Sequence, residues 1–99
     1  MFITKSELDT CLFRFVRIID KLKKKKSLAR ADYYYINVLE YFTKMPLIEN
    51  LMPSKFAKKI YKKIRSASNR VDVFLKIMEN EGFSFERRKI KGHDCIKFL

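Results

Sequence analysis

Tryptophan and glutamine are absent from this chain, and its 99 residues include only two glycines, two prolines, two cysteines and one histidine. Each shortage removes a class of function. Two glycines leave little material for the glycine-rich loops that cradle nucleotide phosphates. A single histidine with Cys11 and Cys95 has no metal-ligand spacing, and two cysteines are too few for the disulfide framework of a small secreted domain. No apolar run approaches the roughly 18 residues of a membrane span. The opening MFITKSELDT has no charged segment followed by an apolar one, so no secretory leader is expected and a cytoplasmic location is.

Negative charge is also scarce. Eleven Asp and Glu stand against 23 Lys and Arg, a formal +12. A polyanion is the natural partner: nucleic acid first, with an acidic protein or an anionic surface behind it, because net charge governs association rather than fold. A merely well-solvated surface is the plainer reading of the same number. With 47% hydrophobic and 14% aromatic residues the chain has enough apolar matter for one core, so 1–99 is read as a single domain. Abundant Lys and Ile without Gln resembles the composition of small accessory proteins of hyperthermophilic archaeal viruses or plasmids, although an AT-rich genome produces the same bias. The default role of Cys11 and Cys95 is buried small hydrophobe. In a hyperthermophile a disulfide between them is the alternative.

The pattern along the chain predicts an α+β fold, mainly α, with four helices followed by a C-terminal β-hairpin. Thr4 and Glu7 have capping-box spacing, and Ile3 and Leu8 can staple the helix start. Leu8, Leu12, Phe15, Ile19 and Leu22 then step by three and four, with Cys11, Val16 and Ile18 widening the seam, to a helix end near Lys24. Phe13 falls off that stripe. The lysine run from Lys23 to Lys26 suits a solvated helix C-terminus, with a phosphate-binding patch as the alternative. Ser27 is a candidate cap for a second helix whose stripe is Leu28, Ala31, Tyr35, Val38, Phe42 and Met45. Tyr33, Tyr34 and Tyr41 lie partly off this stripe, where boundary packing is expected ahead of base stacking.

Pro46 and Pro53 bracket LIENLM, a connector or short strand. Ser54 caps a third helix with an apolar stripe of Phe56, Ala57, Ile60, Ile64 and Ala67 and a crowd of lysines around it. Ser68 or Asn69 caps a fourth, carried by Val71, Phe74, Leu75 and Met78, and Gly82 stops it. Phe83 to Glu86 alternates like a strand, Arg87 to Lys91 is basic, Lys91 to Asp94 supplies turn chemistry, and Cys95 to Leu99 returns.

From Ser66 to Leu99, the residues Val71, Leu75, Lys76, Met78, Glu79, Gly82, Phe83, Arg87, Arg88, Gly92 and the closing Ile96 to Leu99 resemble the recognition helix and wing of winged helix-turn-helix DNA-binding proteins. Phe56, Ala57 and Ile60 are similar to that family's preceding helix. The resemblance implies a winged-helix-like body over 27–99, with the second helix as the first of the bundle, LIENLM in the place of the small strand, and 1–26 as an N-terminal helix of the kind used for homodimerisation. It further implies that Ser68, Asn69, Arg70 and Val73 face the major groove of double-stranded DNA. Arg87, Arg88, Lys89 and Lys91 would meet backbone or minor groove, and Lys58, Lys62, Lys63 and Arg65 would hold phosphates. The expected function is that of a small, non-enzymatic, transcription-regulator-like DNA-binding module. The alternative is an interaction or structural accessory protein that meets an acidic partner or coats nucleic acid without reading sequence, and the alternative for Arg87 to Lys91 is an edge strand protected by its charge.

His93, Asp94 and Cys95 form the one cluster with catalytic chemistry. Neighbours on a strand point in alternating directions, so these residues cannot readily assemble a nucleophile, base and orienter. No enzyme activity and no cofactor are expected.

Overall fold

In the computed structural model, which describes residues 2–99, the chain starts with a two-residue strand β1 (Ile3–Thr4) that runs directly into helix α1 (Lys5–Lys23). Both halves of the capping box are made: the Glu7 amide donates to Thr4 Oγ1 at 3.0 Å and the Thr4 amide donates to Glu7 Oε1 at 3.2 Å. The buried face of α1 is Leu8, Cys11, Leu12, Phe15, Ile18 and Ile19, the seam read from the spacing. No helix among the described residues is long and apolar enough to cross a membrane.

Helix α2 (Arg30–Thr43) differs from expectation in both start and facing. Ser27 lies in the preceding loop, and the N-cap is Ala29. The buried positions are Ile36, Leu39 and Phe42, while Tyr35, Val38 and Met45 are half-buried around them. Asp32 explains the shift. Its carboxylate accepts the Ala29 amide at 2.8 Å, which closes the first turn, and the Lys21 ammonium at 2.6 Å, which ties α2 to the end of α1. Tyr33, Tyr34 and Tyr41 do not take the expected boundary packing; they are 47, 63 and 69% exposed.

Asp32 is itself only 5% exposed. Burial pushes its carboxyl upward, but hydrogen bonds from Lys21 and the Ala29 amide, with the positive charge of Lys21 and Arg14, outweigh this and hold it below the ordinary carboxylate value. A group depressed in the folded state stabilises the fold above its unfolded-state pKa, and that contribution is lost as pH falls through the folded-state value. Asp32→Asn is therefore expected to lower stability near neutral pH by about 1–3 kcal/mol. The gap between variant and parent should close in acid, as read from urea midpoints over a pH series.

LIENLM becomes a miniature hairpin of β2 (Ile48–Glu49) and β3 (Met52–Pro53), turned through Asn50 and Leu51 at φ of 50° and 60°. It does not join the main sheet, so it does not fill the place of the winged-helix strand. The Glu40 carboxylate fastens it to α2 by accepting the amides of Leu47 at 2.6 Å and Ile48 at 3.2 Å.

Helix α3 (Lys55–Ile64) is capped by Ser54, whose Oγ accepts the Ala57 amide at 3.1 Å, and buries Ala57, Ile60, Tyr61 and Ile64. Helix α4 (Arg70–Asn80) buries Val71, Phe74, Leu75, Ile77 and Met78. Gly82, at φ 93°, ends α4 in a Schellman motif: its amide donates to the Glu79 carbonyl and the Phe83 amide to the Met78 carbonyl, each at 3.0 Å. Strands β4 (Phe85–Ile90) and β5 (His93–Phe98) form the C-terminal hairpin, pairing from Phe85 with Phe98 to Ile90 with His93 across a tight turn at Lys91 and Gly92, φ 51° and 82°.

The main sheet has the order β1, β5, β4, all antiparallel, with Ile3 opposite Ile96 and Thr4 opposite Cys95. Helices α1, α3 and α4 pack against one another, whereas α2 packs chiefly on α1 and β5. This corrects the role expected for the first helix. It is the centre of the core, not an extension, and its apolar seam is buried as the spacing predicts. Phe98 ties the hairpin to the helices, with ring centroids 4.7 Å from Phe42, 5.8 Å from Phe85, 6.1 Å from Phe83 and 6.3 Å from Phe74.

Cys11 and Cys95 are both buried and free, which corrects the disulfide alternative. Strand alternation is the reason: Ile96 and Phe98 point into the core, so Cys95 faces the other side of the sheet, where its thiol donates to the His93 carbonyl at 3.5 Å. Cys11 lies in the helical core, and burial, with the nearby Glu7 charge, pushes its thiol up to about 11. Alkylation of the native protein near neutral pH is accordingly expected to be slow at Cys11, with two thiols modified after denaturation without any reductant, as counted by mass.

Candidate nucleic-acid interface

The site is built from α3, the start of α4, the start of α1 and the hairpin. On α3 the four buried positions occupy one side, which leaves a broad exposed arc of lysines. Lys58, Lys62 and Arg65, spaced i, i+4 and i+7, form one flank of it, and Lys59 and Lys63, spaced i and i+4, form the flank that faces α4.

Between that second flank and α4 lies a groove of about 470 Å³, whose lining includes Lys59, Lys63, Asn69, Val73, Lys76 and Asn80. At its end Asn69 and Asp72 pass into a second recess of about 440 Å³, shared with Ser68, Arg70 and the start of α1 at Lys5 and Asp9. Lys5 also lines a third, of about 290 Å³, with Arg87, Arg88, Lys89 and Asp94 of the hairpin. Shared lining residues thus set the three recesses side by side in one row, a furrow that runs from α3 across the N-terminus of α4 to the hairpin with Lys5 and Asp72 between its parts.

The acids along this furrow are largely neutralised. Asp72 pairs with Lys5 at 3.5 Å, Asp9 with Arg70 at 3.1 Å, Glu79 with Lys76 at 3.8 Å, and Glu81 with Lys59. Among the described residues Lys58, Lys62, Lys63, Arg65, Arg87, Lys89 and Lys91 take part in no ion pair, so their charge faces solvent.

The predicted residues do not all serve one surface. Arg70 is held by Asp9 through two hydrogen bonds, Nε at 3.2 Å and Nη2 at 3.1 Å, and lies 5.3 Å above the Phe13 ring. Its donors are engaged within the chain rather than offered to a base edge. Val73 is half-buried, Ser68 and Asn69 are exposed. No family model, curated protein or solved structure matches the chain.

On the hairpin, register separates the cations. Arg87 and Lys89 share the face of Ile96 and Asp94, whereas Arg88 points to the other face, pairs with Glu86 at 2.6 Å and lies 4.9 Å above the Phe2 ring. Lys91 occupies the turn.

Among the cations that line the furrow, sequence reasoning left Lys5, Lys59 and Lys76 out of the site. The i, i+4 spacing of Lys59 and Lys63 was a usable signal; for Lys5 there was none, because its neighbours Asp72 and Arg87 are remote in sequence. It also missed Tyr61. Its hydroxyl donates to Asp20, and that bond, reinforced by burial, raises the phenol above its ordinary value, so it stays protonated. Lys23 lies 4.5 Å and Arg65 5.7 Å from the same ring, which sets the lysine run at the end of α1 beside α3.

His93 and Asp94 are exposed on opposite faces of β5, and Cys95 is buried. Among the described residues no group of three His, Cys, Asp or Glu side chains is placed to hold a metal ion.

Proposed function

We propose that this protein is a small, non-enzymatic nucleic-acid-binding module that holds double-stranded DNA along the furrow, in the manner of a winged helix-turn-helix transcription regulator. One observation carries the reading: the furrow is lined by Lys63, Arg87 and Lys89, which form no ion pair among the described residues, while of its acids Asp9 and Asp72 are paired and Asp94, opposite Lys89 across the hairpin, is not. Such a surface suits a chain of phosphates, since each cation that meets a phosphate displaces condensed counterions.

Two features support the family reading. Helices α1, α3 and α4 form a mutually packed bundle, and a hairpin follows the last of them. In this reading α1, rather than α2, is the first helix of the bundle. The link from α3 to α4 runs through Arg65 to Asn69, longer than the three or four residues usual for the motif. With Arg70 bound to Asp9, base reading falls to Asn69 and the phosphate contacts supply most of the affinity.

An anisotropy titration of a mixed-sequence duplex at several salt concentrations tests this. Tight binding at low salt is expected, with a log–log slope of about −0.9 for each phosphate neutralised. Absence of duplex binding at low salt would overturn the proposal and leave an acidic protein as the partner of the furrow.

A further inference from the structure

Helix α2 carries a second surface that the furrow does not use. Tyr33, Tyr34 and Tyr41 are 47, 63 and 69% exposed, and with Arg30, Asn37 and Lys44 they recur at the three- and four-residue steps that mark one helix face. Exposing three large rings on one face is unfavourable unless something covers them.

The chemistry of this face narrows the occupant. Its cations Arg30 and Lys44 belong to no ion pair among the described residues. The two acids of α2 are both satisfied internally, Asp32 by Lys21 and the Ala29 amide, Glu40 by the amides of Leu47 and Ile48. Beside Tyr41 lies a recess of about 370 Å³, bounded by Glu40, Phe42, Lys44, Lys97 and Phe98. An aromatic ring at the mouth of a recess with two lysines on its rim offers a base a stacking surface and the adjoining backbone two phosphate contacts. Tyr34 stands two helical turns away, about 10 Å along the axis, in reach of a further base on the same strand.

We infer that the tyrosine face of α2 binds single-stranded nucleic acid, with one base stacked on Tyr41 over Lys44 and Lys97 and another on Tyr34. Duplex gains no stacking on this face, because its bases are already stacked and their faces hidden. The inference stands apart from the duplex reading: it uses different residues, and either can fail alone.

The test uses the full chain, with labelled oligothymidylate and oligouridylate as separate arms and a duplex as the control. Tyr34→Ala with Tyr41→Ala, which removes two stacked bases, is expected to weaken single-strand binding at least about 30-fold, since stacking contributes roughly 1–3 kcal/mol per base. A circular-dichroism melt matching that of the parent reports that the variant is folded, and any duplex affinity of the parent should be unchanged. Tyr34→Phe with Tyr41→Phe should keep single-strand binding, because stacking needs the ring and not the hydroxyl. Loss in both arms identifies any single strand as the ligand, and loss in one arm assigns DNA or RNA. Single-strand affinity that survives the alanine changes would overturn the inference, as would a dimer of the parent protein that dissociates in the alanine variant, which would make a second copy the occupant.

Discussion

Replacing Lys63, Arg87 and Lys89 together by glutamine is expected to weaken duplex binding by roughly two to three orders of magnitude near 0.1 M salt and to make the log–log salt slope shallower by about 2.7. The three residues come from two elements, α3 and β4, that meet only through the furrow. They are exposed and outside any ion pair, so folding should not suffer, and removing like charge relieves repulsion. Lys25→Gln is the matched control. It is exposed after the end of α1, lines none of the three recesses and forms no ion pair among the described residues, so its loss should change duplex affinity far less. If Lys25 counts as much as any one of the three, binding depends on net charge and not on the furrow.

Arg70→Ala separates two roles that the sequence alone confounds. At the start of α4 an arginine is a natural reader of guanine, but here it is clamped to Asp9 across a separation of 61 residues. Its removal should cost stability and leave sequence preference intact, whereas Asn69→Ala should alter preference with little effect on stability.

The second large effect concerns the core. Phe98→Ala is expected to destabilise the fold by about 3–5 kcal/mol, a large share of the roughly 5–15 kcal/mol available to a domain of this kind. Phe98 is 5% exposed and touches rings from α2, α4, the loop after α4 and β4, so its loss opens a cavity at the joint between hairpin and helices. The hairpin carries Arg87 and Lys89, so the damage reaches function through geometry. Thermal unfolding should show the melting temperature falling by roughly 15 °C or more, and Phe98→Leu should recover a good part of it. A small shift for Phe98→Ala would mean that β1 and the backbone ladder alone hold the sheet.

Local signals were the legible part of this fold. The Thr4 box, the Ser54 cap, the Gly82 stop and the Lys91 and Gly92 turn each depend on side chains within a few residues, and each forms as its spacing implies. The seams of α1 and α4 were also clear, because their apolar residues are unambiguous. Helix α2 was not, since Tyr33, Tyr34, Tyr35 and Ile36 form an apolar-looking run that fits more than one face. The choice was made by Asp32, an acid buried only because Lys21 meets it from another helix.

Long-range pairings left no mark in the sequence. Two residues of β1 joining β5, Lys5 lying near the hairpin, and Asp9 capturing Arg70 all depend on how α1 threads the core. The resemblance set α1 apart as an N-terminal extension, while its packing against α3 and α4 makes it part of the bundle. The candidate cations were found by charge. Their division between the two faces of the hairpin was settled by strand register, which sequence does not reveal one residue at a time.

Amide chemical-shift mapping of the labelled protein against a short DNA duplex tests the central claim most directly. The furrow reading predicts shifts along one line, at Lys59 and Lys63 of α3, Asn69 at the start of α4, Lys5, and Arg87 and Lys89 of the hairpin, fading as salt is raised. Shifts confined to the tyrosine face of α2, or spread evenly over all lysines, would contradict it.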